Sequence, residues 1–268
     1  MVLARRTRIS LRVLALGYLA ALLLVPLAMI FYRTFEDGLA AFWAQVTTPA
    51  AIAAIALSLK IVAIVVPLNV VFGVVTALAL VRGRFRGRGI VQAIVDLPFA
   101  VSPVIVGVSL ILLWGTGGWL GGVSEAGFQV IFSLPGMVLA TLFVTLPFVV
   151  REVEPVLQEI GDEQEEAAAT LGASRWQTFW RITLPAIRWG LVYGIVLTVA
   201  RALGEFGALI VVSGAVSGES QTLTLLVHAR YIDDHNVFGA YAASSVLMAF
   251  ALVTLLLMTT VNARREHA

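Results

Sequence analysis

The chain has 268 residues, of which 60% are hydrophobic and 13% charged, about half the charged share of a soluble domain. It contains no cysteine, which excludes disulfides, thiolate nucleophiles and cysteine-based metal sites. The net charge is +2 and the single lysine, Lys60, has no glycine before it; a phosphate loop of the GxxxxGK(S/T) kind is therefore absent, and any driving nucleotide must be bound by another chain.

Several apolar runs exceed the roughly 20 residues that cross a bilayer as a helix. The pattern predicts an all-α polytopic membrane protein with six spanning helices at 12–32, 52–81, 90–114, 134–151, 186–213 and 238–262. The first run follows Arg5, Arg6, Arg8 and Arg12 and so resembles a signal peptide. Its apolar part is too long for one and no A-x-A-like site follows, so it reads as a retained span. Residues 1–50 then form a basic segment, a first span and an outer loop, and 51–262 form the main transmembrane domain.

The second span carries Pro67, and the 82–89 loop carries Arg82, Arg84, Arg86 and Arg88. In the third, DLPFAVSPVIVG (96–107) holds two prolines and Asp96 near one end. Prolines here act either as simple kinks or as breaks that line a pathway, because neighbouring helices can satisfy the freed backbone groups. The fourth span carries Pro147.

Between the fourth and fifth spans lies EEAAATLGASRWQTFWRITLP (165–185), too charged to insert and too patterned for a random loop. Glu159 to Leu171 is rich in helix formers, and Gly172 supplies a stop by taking the left-handed conformation. Ser174 and Gln177 have the spacing of a capping box for a second short helix. On it Trp176, Phe179 and Trp180 make one apolar stripe, and Pro185 is expected to close it. The stripe could rest on lipid, but the first helix carries Glu159, Asp162, Glu163, Glu165 and Glu166, which anionic headgroups would repel. A protein partner is the better fit for the 152–185 segment.

In the fifth span Arg201 and Glu205 stand four residues apart, on one helical face. They read as a structural pair that neutralises itself; the alternative is a pathway role in which Arg201 meets an anion. His228, His235 and His267 lack metal-ligand spacing. Fourteen of the arginines fall at the two termini, in the 82–89 loop and in the 151–188 segment, against Arg33 and Arg230 on the opposite side. By the positive-inside rule both termini and the 151–188 segment are cytoplasmic.

Glu166-Ala167-Ala168, Gly172, Ile182 and Leu184-Pro185 match at every position the signature of binding-protein-dependent ABC importer permeases, which the chain therefore resembles. The resemblance implies a type I importer permease architecture, with these residues forming coupling helices in a cleft of a separate ATPase subunit. ATP and Mg would be bound by that partner, with no cofactor in this chain. DLPFAVSPVIVG, GWLGG (118–122), VIFSLPGMVLATLFVTLPFVVRE (130–152), DEQEEAAATLGAS (162–174) and RALGEFGALIVVSG (201–214) are similar to the sulfate permease family, specifically its W-type subunit. Molybdate permeases share much of the RxLGEFG stretch, so molybdate or tungstate import is the alternative substrate reading.

The implied partners are a second sulfate permease subunit, an ATPase dimer, an extracytoplasmic sulfate-binding protein and the lipid bilayer, with no nucleic acid. The implied location is the bacterial inner membrane. Outer loops bearing Glu36, Asp37, Glu125, Glu219, Asp233 and Asp234 would repel a free oxyanion, which suits delivery by a binding protein. A standalone secondary transporter would need its own proton relay, for which Asp96, Arg201 and Glu205 are the only candidates in the spans.

Overall fold

The computed structural model describes residues 5–265, and His267 lies outside them. Every regular element among the described residues is helical. The helices are α1 (Arg5–Phe35), α2 (Gly38–Val46), α3 (Pro49–Arg82), α4 (Arg88–Ala100), α5 (Pro103–Trp114), α6 (Gly121–Glu125) and α7 (Leu134–Ile160). They continue with α8 (Glu163–Thr170), α9 (Arg175–Thr178), α10 (Leu184–Leu203), α11 (Leu209–Val212), α12 (Leu223–His228) and α13 (Val237–Arg265). Two π-helical turns, Phe179–Thr183 and Ala229–Asp233, follow α9 and α12.

Among the described residues, five segments are long and apolar enough to cross a membrane: Leu11–Phe35, Pro49–Arg82, Leu134–Ile160, Arg175–Leu203 and Val237–Thr260. The pair α4–α5 passes the same test only when its halves are taken together, and their axes turn by 113°, the geometry of a broken span or a re-entrant loop. Neither half alone, at about 20 Å or less, spans a hydrocarbon core of roughly 30 Å. Pro103 causes the break: it lacks an N–H and forces the preceding residue out of the helical region. Val101 and Ser102 are accordingly extended, with ψ of 133° and 134°. The two-proline segment is thus a broken helix rather than a kinked one.

The core is built around α7. One cluster joins it to α3, α4 and α10 through Val74, Leu80, Val95, Val150, Leu157 and Ile187. A second joins it to α3, α11 and α12 through Ile61, Val65, Met137, Leu209 and Leu225. Midway along α3, Asn69 Nδ2 donates to Thr145 Oγ1 of α7 at 2.6 Å, an interhelical bond of the kind that substitutes for hydrophobic driving force in lipid. A Cβ on Gly73 would stand 2.6 Å from Val149. GLVYG (190–194) brings α10 equally close to α7: a Cβ on Gly190 would meet the Glu152 carbonyl at 2.6 Å, and one on Gly194 the Val149 Cα at 3.1 Å. Small residues four apart let two backbones touch.

At the end of the molecule away from Arg82, Arg230 is buried rather than a free loop residue. It donates to the Gly239 carbonyl, the Gln45 carbonyl and Thr48 Oγ1 at 3.0, 3.1 and 2.9 Å. This ties the α2–α3 junction to the start of α13. Burial pushes its guanidinium below the ordinary arginine value, opposed by Asp234; the three acceptors replace the water it gave up.

Three sequence expectations are corrected. The fourth span does not end at Arg151 but continues helical to Ile160, because Val153 and Leu157 keep its apolar stripe buried. The helix expected over 159–171 starts at Glu163, after Gly161 takes φ +70° and breaks the chain. The fifth span ends at Leu203 rather than 213, stopped by Gly204 and a turn through Gly207.

Candidate functional site

The first candidate region is the element between α7 and α10. Glu163, Glu165 and Glu166 occupy the first turn of α8, where carboxylates favour the exposed N–H groups. At the other end the Ala173 N–H donates to Ala168 O and the Gly172 N–H to Ala169 O, both at 3.0 Å. That double closure is a Schellman motif, and it needs the φ of +84° that Gly172 adopts. Ser174 then starts α9 with a complete capping box: the Gln177 N–H donates to Ser174 Oγ, and the Ser174 N–H to Gln177 Oε1. Trp176, Phe179 and Trp180 form an aromatic cluster with centroids 5.5–6.3 Å apart.

Phe179 packs onto the α3–α7–α10 core, whereas Trp176 is 69% and Leu171 88% exposed. Glu166 and Ala167 are exposed, Ala168 is buried, and Gly172 caps the turn between them and the tryptophans. Ile182 lies in the π-helical turn and Leu184 and Pro185 in the first turn of α10. Pro185 does not close α9. Its missing N–H is harmless at a first turn, and α9 runs through the π-helical turn into the span as one stretch, Arg175–Leu203.

The second region is where two broken helices cross. α5 packs against α11. A Cβ on Gly107 would stand 2.8 Å from Val211 Cβ and 2.9 Å from Ala208 O, and one on Gly207 3.0 Å from Pro103 Cβ. Interrupted backbone at membrane depth is tolerated where it is buried in protein or lines a cavity. Glu205 holds the α10–α11 turn. Its Oε1 accepts the Ala208 N–H at 2.8 Å, and its carbonyl accepts from Thr224 Oγ1 at 2.7 Å.

Arg201 Nη1 lies 2.6 Å from Glu205 Oε2. The contact is a charge pair without hydrogen-bond alignment. The Glu205 side chain is fully buried and the Arg201 side chain is 32% exposed. The pair expected from sequence is therefore formed, but by a turn beyond the helix end rather than along one helical face. Asp96 is not brought to it. Its Oδ1 accepts from Arg151 Nε and Nη2 of α7 at 3.0 and 2.7 Å, and the Arg151 guanidinium sits 5.6 Å from the Phe99 ring centroid.

Sequence reasoning missed the contacts of Arg82. From the end of α3 it reaches Glu165 Oε2 at 3.1 Å, the Leu157 carbonyl at 3.2 Å and the Gly161 carbonyl. Thr183 Oγ1 donates to Glu165 Oε1 at 2.8 Å. The partners are 83 residues apart, and the one sequence signal was opposite charge in two loops assigned to the same side.

Five apolar spans and one bent pair, with a structured, exposed element between α7 and α10, define a multi-pass membrane protein. Residues 69–267 match the family described as binding-protein-dependent transport system inner membrane component, and the chain belongs to that family. It is 48% identical to the sulfate transport system permease protein CysW of Synechocystis sp., over 95% of this chain and 92% of that one. It is 35% identical to the permease protein CysT of Escherichia coli K12, over 93% and 90%. The fold is also that of a chain in a bacterial alginate ABC transporter crystallised with an alginate pentasaccharide-bound periplasmic protein. There the TM-score is 0.75 at 20% identity, covering 97% of this chain and 94% of that one.

Proposed function

We propose that this chain is the W-type permease subunit of an ATP-driven importer of sulfate, with thiosulfate a second substrate, and that it docks an ATPase through residues 162–183. The observation that carries the docking reading is the protruding element itself. Its turn is fixed by a Schellman motif and a capping box, yet it leaves Glu166, Ala167, Leu171 and Trp176 facing outward. A pose so firmly specified and so exposed is suited to a protein partner. Kinship to sulfate permeases, 48% with the W-type against 35% with the T-type, supports the substrate and the subunit type.

In this reading the chain does no chemistry. ATP and Mg belong to the ATPase dimer, and this chain has no cofactor of its own. A second permease completes the pathway, and an extracytoplasmic binding protein delivers the anion past the acidic outer loops. The docking element and both termini face the cytoplasm, a placement the arginine distribution supports, and the membrane is the bacterial inner membrane. Movement of the ATPases shifts α8 and α9, and because α9 is continuous with α10, that shift reaches the broken-helix crossing near Arg201 and Glu205 directly. A rigid element connecting two sites is one means by which such a transition is carried.

Gly172→Val tests the dock. A Cβ at Gly172 meets nothing within 4 Å, so the cost is confined to a β-branched residue at positive φ, about 1–3 kcal/mol locally. The expected outcome is a normal amount of inserted subunit with several-fold less ATPase co-purified. Undiminished ATPase capture together with undiminished transport would contradict the docking assignment.

A further inference from the structure

We propose that Arg82 is a positioning residue for coupling: with Glu165 it locks the docking element to the ends of α3 and α7, so that force on α8 is passed to the spanning helices. The inference rests on the docking reading above and adds a route by which motion enters the membrane domain through α3 and α7, separate from the covalent route through α10.

Three nitrogens of one guanidinium are engaged. Nε faces Glu165 Oε2 at 3.1 Å, Nη1 faces the Leu157 carbonyl at 3.2 Å, and Nη2 faces the Gly161 carbonyl with Glu165 Oε1 at 3.5 Å. Leu157 belongs to the last turn of α7, whose carbonyls lack helical partners, and Gly161 is the break that frees α8. Arg82 therefore closes α7, grips the hinge and holds the first turn of α8 at once.

Glu165 extends the lock to Thr183, which is buried inside the π-helical turn leading to α10. α8 itself packs on α9 and that turn; the guanidinium ties it also to α3 and α7. Both charged side chains are only 22% and 23% exposed, so the pair is desolvated well beyond an ordinary surface bridge. A planar fork with fixed directions can hold a carboxylate and two carbonyls together, which the point charge of lysine cannot.

The test uses the whole complex, this chain with its second permease, ATPase and binding protein, in proteoliposomes. ATP hydrolysis and import of labelled sulfate are measured in the same vesicles. For Arg82→Gln the ATPase is expected to remain bound while sulfate imported per ATP falls about tenfold, a coupling loss within the usual range. Arg82→Lys should recover little of it. Glu165→Gln keeps the Thr183 bond and should fall about threefold, and it provides the reading if Arg82→Gln does not assemble.

A purely structural role would lower abundance and both rates together and leave the ratio unchanged. That outcome, in any assembled variant complex, overturns the inference alone. A wild-type complex that fails to retain the ATPase would instead sink the docking reading, and this inference with it.

Discussion

Arg201→Gln alone is expected to reduce the amount of subunit in the membrane several-fold, and Arg201→Gln with Glu205→Gln to restore it. The Glu205 carboxylate is fully buried and Arg201 is the cation paired with it. Removing that cation strands a buried charge, which costs about 3 kcal/mol, the low end of the usual range because the guanidinium is partly exposed. In the double variant the glutamine carbonyl oxygen still accepts the Ala208 N–H, so the α10–α11 turn keeps its bond while no charge is left unpaired. Abundance by quantitative blot and sulfate uptake in the same cells check both statements. We expect transport to return with abundance, since Glu205 is occupied in holding the turn. A double variant that assembles fully yet imports no sulfate would contradict the purely structural reading of the pair.

Gly190→Leu should be the most damaging change among the helix-packing glycines. Its Cβ would stand 2.6 Å from a backbone carbonyl, Glu152 O, and 3.0 Å from Val156 Cγ2. A carbonyl in a helix cannot yield as a side-chain tip can, so α7 and α10 must separate, costing about 3 kcal/mol or more. Little or no folded subunit is expected by fluorescence-detected size exclusion. Gly89→Ala is the control: nothing lies within 4 Å of its Cβ position, and the helix gains from alanine. Equal yields of the two variants would contradict the close crossing of α7 and α10.

Hydropathy makes the apolar runs legible because each must be solvated by lipid or by another helix. It does not mark where backbone hydrogen bonding stops. The apolar run through 209–212 concealed the end of α10 at Leu203, although Gly204 and Gly207 around Glu205 were a visible warning. Pro103 marked the other break, because a missing N–H is written in the sequence, whereas Pro98 lies within α4. Charge misled in the opposite direction: Arg151 marks the edge of the apolar run but not the end of α7, which continues to Ile160.

Pro185 was misplaced for a related reason. Proline stops a helix from within but is welcome in its first turn, and a π-helical turn before it let α9 and α10 join. The local geometry of the element between α7 and α10 was readable because caps depend on neighbours: Ser174 with Gln177, and Gly172 after Leu171. The Arg82–Glu165 lock was not, since nothing local joins the end of α3 to α8. The GLVYG spacing at 190–194 was a signal available and unread.

The central proposal is that this chain carries an oxyanion across the membrane only when an ATPase is docked on residues 162–183. The direct measurement is labelled sulfate uptake into proteoliposomes holding the full complex, with binding protein outside and ATP inside, each component omitted in turn and molybdate offered as competitor. The account predicts uptake that requires ATP, ATPase and binding protein together, that falls with Gly172→Val, and that excess molybdate barely reduces. Uptake by this chain and its second permease without the ATPase would contradict it, as would a complex that imports molybdate and leaves sulfate outside.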